Sequence, residues 1–168
     1  MAETNLEEIQ MKKLISMVMV LILAFVMCGC SFSGTGSKNR KIDLEKVRQN
    51  KGVLLEVTSH PQGPMTQEDM ERYTNTQKVT YEGCAYNPFN TQGVRMSDED
   101  FIYIYEFCLD AYEKELFKNY SEEVDDGTTY EFVYYDEDGK AHVLYNGYCY
   151  GNEKLSKVRD IIGKYSLD

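Results

Sequence analysis

The stretch "TTYEFVYYDEDGKAHVLYNGYCYG", residues 128–151, decides the fold. Tyr130, Phe132 and Tyr134 alternate with Glu131, Val133 and Tyr135 at the two-residue period of a strand. Asp136 to Gly139 then supplies a type I turn, with glycine where a positive φ is needed. A second run, with His142 among Val and Tyr neighbours, completes a hairpin, so the sheet it joins is antiparallel at this point. "NEKLSKVRDIIGKYS" follows as a helix capped by Asn152, with Leu155, Val158, Ile161, Ile162 and Tyr165 at helical spacing on its buried face.

Upstream, "MSDEDFIYIYEFCLDAYEKELF", residues 96–117, predicts the longest helix. Ser97 and Asp100 form a capping box, and three acids in the first turn favour the helix dipole. Phe101, Ile104, Tyr105, Cys108, Tyr112 and Leu116 make its apolar stripe. "GVLLEVTSH" from Gly52 reads as a strand, His60 to Pro64 as a turn, and Lys78 to Gly83 as another strand. Between them "MTQEDMERYTNTQ" stays open: Thr66 with Asp69 caps a helical turn, or Glu71 to Thr74 begins a strand. Hairpins interspersed with two helices predict an α+β domain, an antiparallel sheet with both helices packed on one face. The expected division is a leader over 1–29, an anchor and flexible basic tether over 30–51, and one domain over 52–168.

The leader reading rests on "MKKLISMVMVLILAFVMCGCS", residues 11–31. Lys12 and Lys13 precede an apolar run from Leu14 to Met27, shorter than the ~20 residues of a membrane-spanning helix and within the range of an export signal. The acidic decapeptide before it does not suit such a signal, which places the expected translation start at Met11. A basic start, a short apolar core and small residues before a cysteine resemble the precursors of bacterial lipoproteins processed by signal peptidase II. Gly29 and Cys30 fall on that family's cleavage and acceptor positions, and Met27 stands where leucine is usual. The resemblance implies cleavage between Gly29 and Cys30 and a diacylglyceryl thioether on Cys30. It also implies a protein held on the extracytoplasmic face of the cell membrane, its bilayer contact made through the acylated cysteine. Residues 31–39 are rich in Gly and Ser. Lys38, Arg40, Lys41, Lys46, Arg48 and Lys51 then form a basic stretch suited either to anionic headgroups or to a solvated helix. The segment 126–150 with its following helix also resembles the C-terminal half of small domains of unknown function in lipoproteins of Gram-positive-type bacteria, a likeness that brings no catalytic residues.

The net charge of −10 is concentrated in residues 97–168, where eighteen acids face seven bases, so no nucleic-acid partner is expected. Fourteen tyrosines and no tryptophan suit a sheet with half-wet faces. Catalytic signatures are wanting. His60 and His142 belong to no readable triad, and no zinc motif occurs, so neither a metal nor another cofactor is expected. The loop at Asp136, Asp138 and Gly139 has calcium-loop spacing, but Tyr134 and Tyr145 occupy the end ligand positions. Glu113 with Glu115, or Asp125 with Asp126, offer carboxylate pairs of the kind a hydrolase uses. Cys84, Cys108 and Cys149 remain after processing. Cys84–Cys108 is the candidate disulfide, and three buried thiols are the alternative. The expectation is a non-enzymatic, membrane-anchored binding domain whose partner is an envelope protein, a peptide or a wall component, met by the tyrosine-rich sheet face and the acidic half. An envelope hydrolase and a structural or inhibitory envelope protein are the alternatives.

Overall fold

In a computed structural model that describes residues 40–165, the chain enters the fold twelve residues before the expected boundary at 52. Gly29, Cys30, Met11 and residues 31–39, on which the leader and tether expectations rest, lie outside the described residues. Among the described residues no helix is long and apolar enough to cross a membrane. Asp43 caps the short helix α1 (Leu44–Val47), whose Val47 is 7% exposed and belongs to the core. Three of the basic residues around it are paired with the domain's own acids. Arg40 meets Glu113 at 2.6 Å, Arg48 meets Asp98 at 2.6 Å and Lys51 meets Glu82 at 3.3 Å. The Arg48 guanidinium also lies over the Phe101 ring, 5.4 Å from its centroid. The sequence pattern of charge hides this docking, because one buried valine among bases gives no periodicity.

The sheet has six antiparallel strands in the order β4-β3-β2-β1-β5-β6. These are β1 (Val53–Pro61), β2 (Asn75–Thr80), β3 (Cys84–Asn87), β4 (Asn90–Arg95), β5 (Thr128–Tyr135) and β6 (Ala141–Gly147). Helix α2 (Gln67–Tyr73) settles the open segment: the Thr66 hydroxyl accepts from the Asp69 amide at 3.1 Å, and the strand begins only at Asn75. No residue of α2 is buried, so local capping rather than core packing explains it. Helices α3 (Asp98–Glu113) and α4 (Glu153–Lys164) both cover one face. Phe107 of α3 packs on Phe132, Tyr112 on Tyr134, and Arg159 of α4 lies over Tyr130, three residues that alternate along the same side of β5. The fold is therefore α+β as expected, with the two short helices in addition.

Three register shifts shape the sheet. Val53 opposes Thr80 and Leu55 opposes Val79, which makes Leu54 an extra residue in β1. Leu144 is likewise extra in β6. At each bulge two successive residues turn inward, Leu54 with Leu55 and Leu144 with Tyr145, all four buried. In β4 two extra residues lie opposite Tyr86. There Gly93 has φ +74°, and a Cβ on it would stand 2.5 Å from the Tyr86 ring, so this position excludes any side chain unless the ring moves.

Helix α3 buries Phe101, Ile104, Tyr105, Phe107, Cys108 and Ala111. Tyr112 and Leu116 are more exposed than the predicted stripe requires, because the helix stops at Glu113 and Glu115 takes φ 47°. The predicted face of α4 is buried at Leu155, Val158, Ile161 and Ile162. Tyr165 ties the helices together: its hydroxyl donates to Asp100 at 2.7 Å and accepts from the Ser97 amide at 3.1 Å. Burial acts to raise the Asp100 pKa, but the bonds from Tyr165 and Lys164 outweigh it and hold the carboxyl below its ordinary value. The opposite sheet face carries polar pairs in register, Glu56 with Lys78 at 2.9 Å and Thr58 with Thr76 at 3.1 Å.

The Cys84–Cys108 disulfide is not formed; Cys84, Cys108 and Cys149 are free thiols. Alternation gives the reason. Ala85 takes the buried position on β3, so its neighbour Cys84 is turned to the other face, while Cys108 is fully buried beneath the helix-covered side. Of the sheet tyrosines expected to meet a partner, Tyr134 and Tyr145 are buried, whereas Tyr86, Tyr130 and Tyr135 are half-buried.

Candidate functional site

Along the helix-covered face the residues change character from one end to the other. On β1 the inward positions run Leu55, Val57, Ser59; on β2 they run Val79, Gln77, Asn75; on β5 they run Tyr134, Phe132, Tyr130. The register sets these in rows across the strands: Tyr130, Ser59 and Asn75 lie abreast, and Phe132, Val57 and Gln77 form the next row. The apolar end lies in the hydrophobic core. The polar end forms the floor of a groove of about 660 Å³ along the side of α4. That volume is in the range of small-ligand pockets, roughly 300–1,000 Å³.

One wall comes from α4, where Arg159 and Gly163 are a helical turn apart and Asp160 and Lys164 stand beside them. The guanidinium carbon of Arg159 sits 4.1 Å from the centroid of the Tyr130 ring, and one terminal nitrogen donates to the Cys149 sulfur at 3.6 Å. No carboxylate pairs with Arg159 among the described residues. Burial pushes the Tyr130 phenol up, and Arg159 partly opposes this. Lys164 is shared with Asp100, its amine 3.4 Å from each carboxylate oxygen. At the far rim the Asn87 side-chain oxygen accepts from the amides of Phe89 and Asn90, both at 2.7 Å, and fixes the turn that holds Phe89 90% exposed. On the floor Ser59 donates to the Asn75 carbonyl at 3.3 Å. The Asn75 side-chain oxygen is buried and has no hydrogen-bond partner among the described residues. An orphaned buried acceptor costs about 1–3 kcal/mol, and so calls for an explanation.

The residues singled out in the sequence go elsewhere. His60 faces the Thr74 hydroxyl at 3.4 Å, whereas His142 bonds Asp136 at 2.8 Å and lies against Tyr112, ring centroids 4.3 Å apart. The Asp136 carboxylate also accepts from the amides of Asp138 and Lys140, which commits it to the hairpin turn. His142 borders a smaller cavity of about 300 Å³ with Glu115 and Lys118, but Glu115 is paired with Lys118 at 2.7 Å. Glu113 is taken by Arg40, so the two glutamates do not act as a facing acid–base pair. Among the described residues no three His, Cys, Asp or Glu side chains converge as a metal site.

Sequence reasoning missed Ser59, Asn75, Gln77, Tyr130, Arg159 and Gly163 as a set. A signal was present: polar residues continue the inward-facing alternation of Leu55 and Val57, and a glycine interrupts an otherwise amphipathic helix. No protein-family model, no curated protein and no solved structure matches this chain.

Proposed function

We propose that this chain is a lipid-anchored binding protein of the extracytoplasmic membrane face, with the groove beside α4 as its ligand site. The observation that carries the binding role is the groove itself: a polar floor set inside an otherwise apolar sheet face, walled by an arginine without a carboxylate partner among the described residues. The anchoring half of the reading is supported by the run of residues 12–30, ending in Gly29 and Cys30. Each half has its own test.

For the groove, Gly163 is the point of attack. Nothing lies within 4 Å of a Cβ placed there, and the backbone is ordinary helix. Gly163→Phe should therefore fill the groove while leaving stability unchanged or raised, by about 0.5 kcal/mol from helix propensity. The measurement is a titration of the full chain with a low-molecular-weight extract of the envelope, followed by backbone NMR shifts. Shifts at Val57, Gln77 and Tyr130 that vanish in Gly163→Phe are the expected result; binding that survives the substitution places the ligand elsewhere.

For the anchor, Cys30→Ala is expected to leave an uncleaved precursor that takes up no labelled fatty acid. A variant processed like the parent chain would remove the lipoprotein assignment.

A further inference from the structure

The groove beside α4 holds a cation that the described residues leave unmatched. Arg159 is half-buried and stacked on Tyr130, and it gives a hydrogen bond to the Cys149 sulfur, a weak acceptor. The chain is rich in acids, with a net charge of −10, and its other bases show the usual outcome. Arg40 and Arg48 each reach a carboxylate at 2.6 Å, and Lys78 and Lys114 do so at 2.9 and 2.8 Å. Arg159 makes no ion pair among the described residues. Partial burial costs a cation hydration, and a charge-assisted hydrogen bond to an anion offsets that cost.

The surroundings narrow the choice of anion. Lys164, on the same wall, is shared with Asp100, and Asp160 lines the groove as well. The wall therefore offers one uncommitted positive charge close to a carboxylate, a balance that favours one negative charge over two. The rest of the accessible lining has an aromatic part. Tyr130 lies against the guanidinium, and Phe89 stands 90% exposed at the rim. Gly163, a helical turn from Arg159, leaves open space where a side chain would stand. An anionic head joined to a flat or apolar body fits this combination.

We propose that the groove takes a small organic anion of single charge, its head paired with Arg159 and its apolar body set against Tyr130 and Phe89. This rests on the groove being the ligand site. The test titrates the full chain with phenylbutyrate, with its neutral amide, and with phenylpropyl phosphate, a dianion above its second pKa of about 6. The readout is NMR shifts at Gln77, Tyr130, Gly163 and the Arg159 Nε–H. The carboxylate is expected to bind at least about tenfold more tightly than the amide, as fits a charge-assisted pair, and no more weakly than the dianion. Arg159→Gln should bring the carboxylate down to the affinity of the amide while leaving the amide's own affinity unchanged, which separates loss of charge from loss of fold. Arg159→Lys should restore part of the difference. The methyl diester of phenylpropyl phosphate, also singly charged, is the further arm: whichever of it and phenylbutyrate binds more tightly names the head as phosphodiester or carboxylate. Equal binding of carboxylate and amide in the groove overturns the anion assignment, and tighter binding of the dianion overturns the single charge; either result leaves the groove reading standing. If no probe shifts a groove residue at tens of millimolar, the anion assignment is wrong. The groove reading itself is then decided by the Gly163→Phe experiment with the envelope extract.

Discussion

Replacing Phe132 with alanine is expected to lower the free energy of unfolding by about 3–5 kcal/mol, a large share of what a domain of this size possesses. Phe132 is fully buried on β5, packed between Phe107 of α3 and Tyr145 of β6 at centroid distances of 6.2 and 6.3 Å. It joins the β5–β6 hairpin to the long helix, and rigid aromatic neighbours leave little scope for the site to collapse. Urea unfolding provides the measurement, read as a lower midpoint at unchanged slope. Val143→Ala on the same hairpin is the comparison. Val143 is 64% exposed, and its truncation should stay within about 0.5 kcal/mol. Equal losses at the two positions would refute the assignment of Phe132 to the core.

Alkali should unfold the protein between pH 10 and 12. Burial raises the phenol pKa of Tyr134 and Tyr145 from 10.0 to about 12, with the charge of Glu122 adding to the effect at Tyr145. Tyr81 is raised further, first by burial and then by its hydrogen bond with Tyr134. The folded state thus holds these protons more tightly than the unfolded chain does. The stabilisation is fully present below pH 10, the unfolded value, and is lost as pH rises through the folded values. Raising one pKa from 10 to about 12 corresponds to roughly 2.7 kcal/mol, so ionising two such phenols rivals the stability of a typical domain. Tyrosinate absorbance is expected to rise together with loss of far-ultraviolet circular dichroism, and Tyr134→Phe should move the transition to higher pH. Ionisation of these phenols near pH 10 with the fold intact would contradict the burial argument.

The parts of the fold legible in the sequence are those whose pattern follows from one face being buried. The alternation of Tyr130, Phe132 and Tyr134 and the stripe Leu155, Val158, Ile161 and Ile162 were readable because each element meets the core along its length. The β3–β4 hairpin was not. "CAYNPFNTQGVR" lies at the sheet edge, buries little beyond Ala85 and Asn87, and so carries no alternation to read. Bulges defeated the pattern elsewhere, since Leu54 and Leu55 point inward in succession. The docked segment at Val47 was lost among charges whose partners, Glu113, Asp98 and Glu82, are distant in sequence. The groove was harder still. Ser59 and Asn75 become neighbours only through the β1–β2 register, and that Arg159 forms no ion pair among the described residues can be read only from the folded chain.

The bulges in β4 and β6 reach beyond local packing, because these are the two outermost strands of the sheet. A regular outer strand presents a straight row of unpaired amides and carbonyls on which another chain can add itself, the first step of aggregation. Extra residues break the spacing of that row and increase its twist, so neither rim offers a continuous template. Molecules crowded together at high local density would collide edge to edge without zipping into a common sheet.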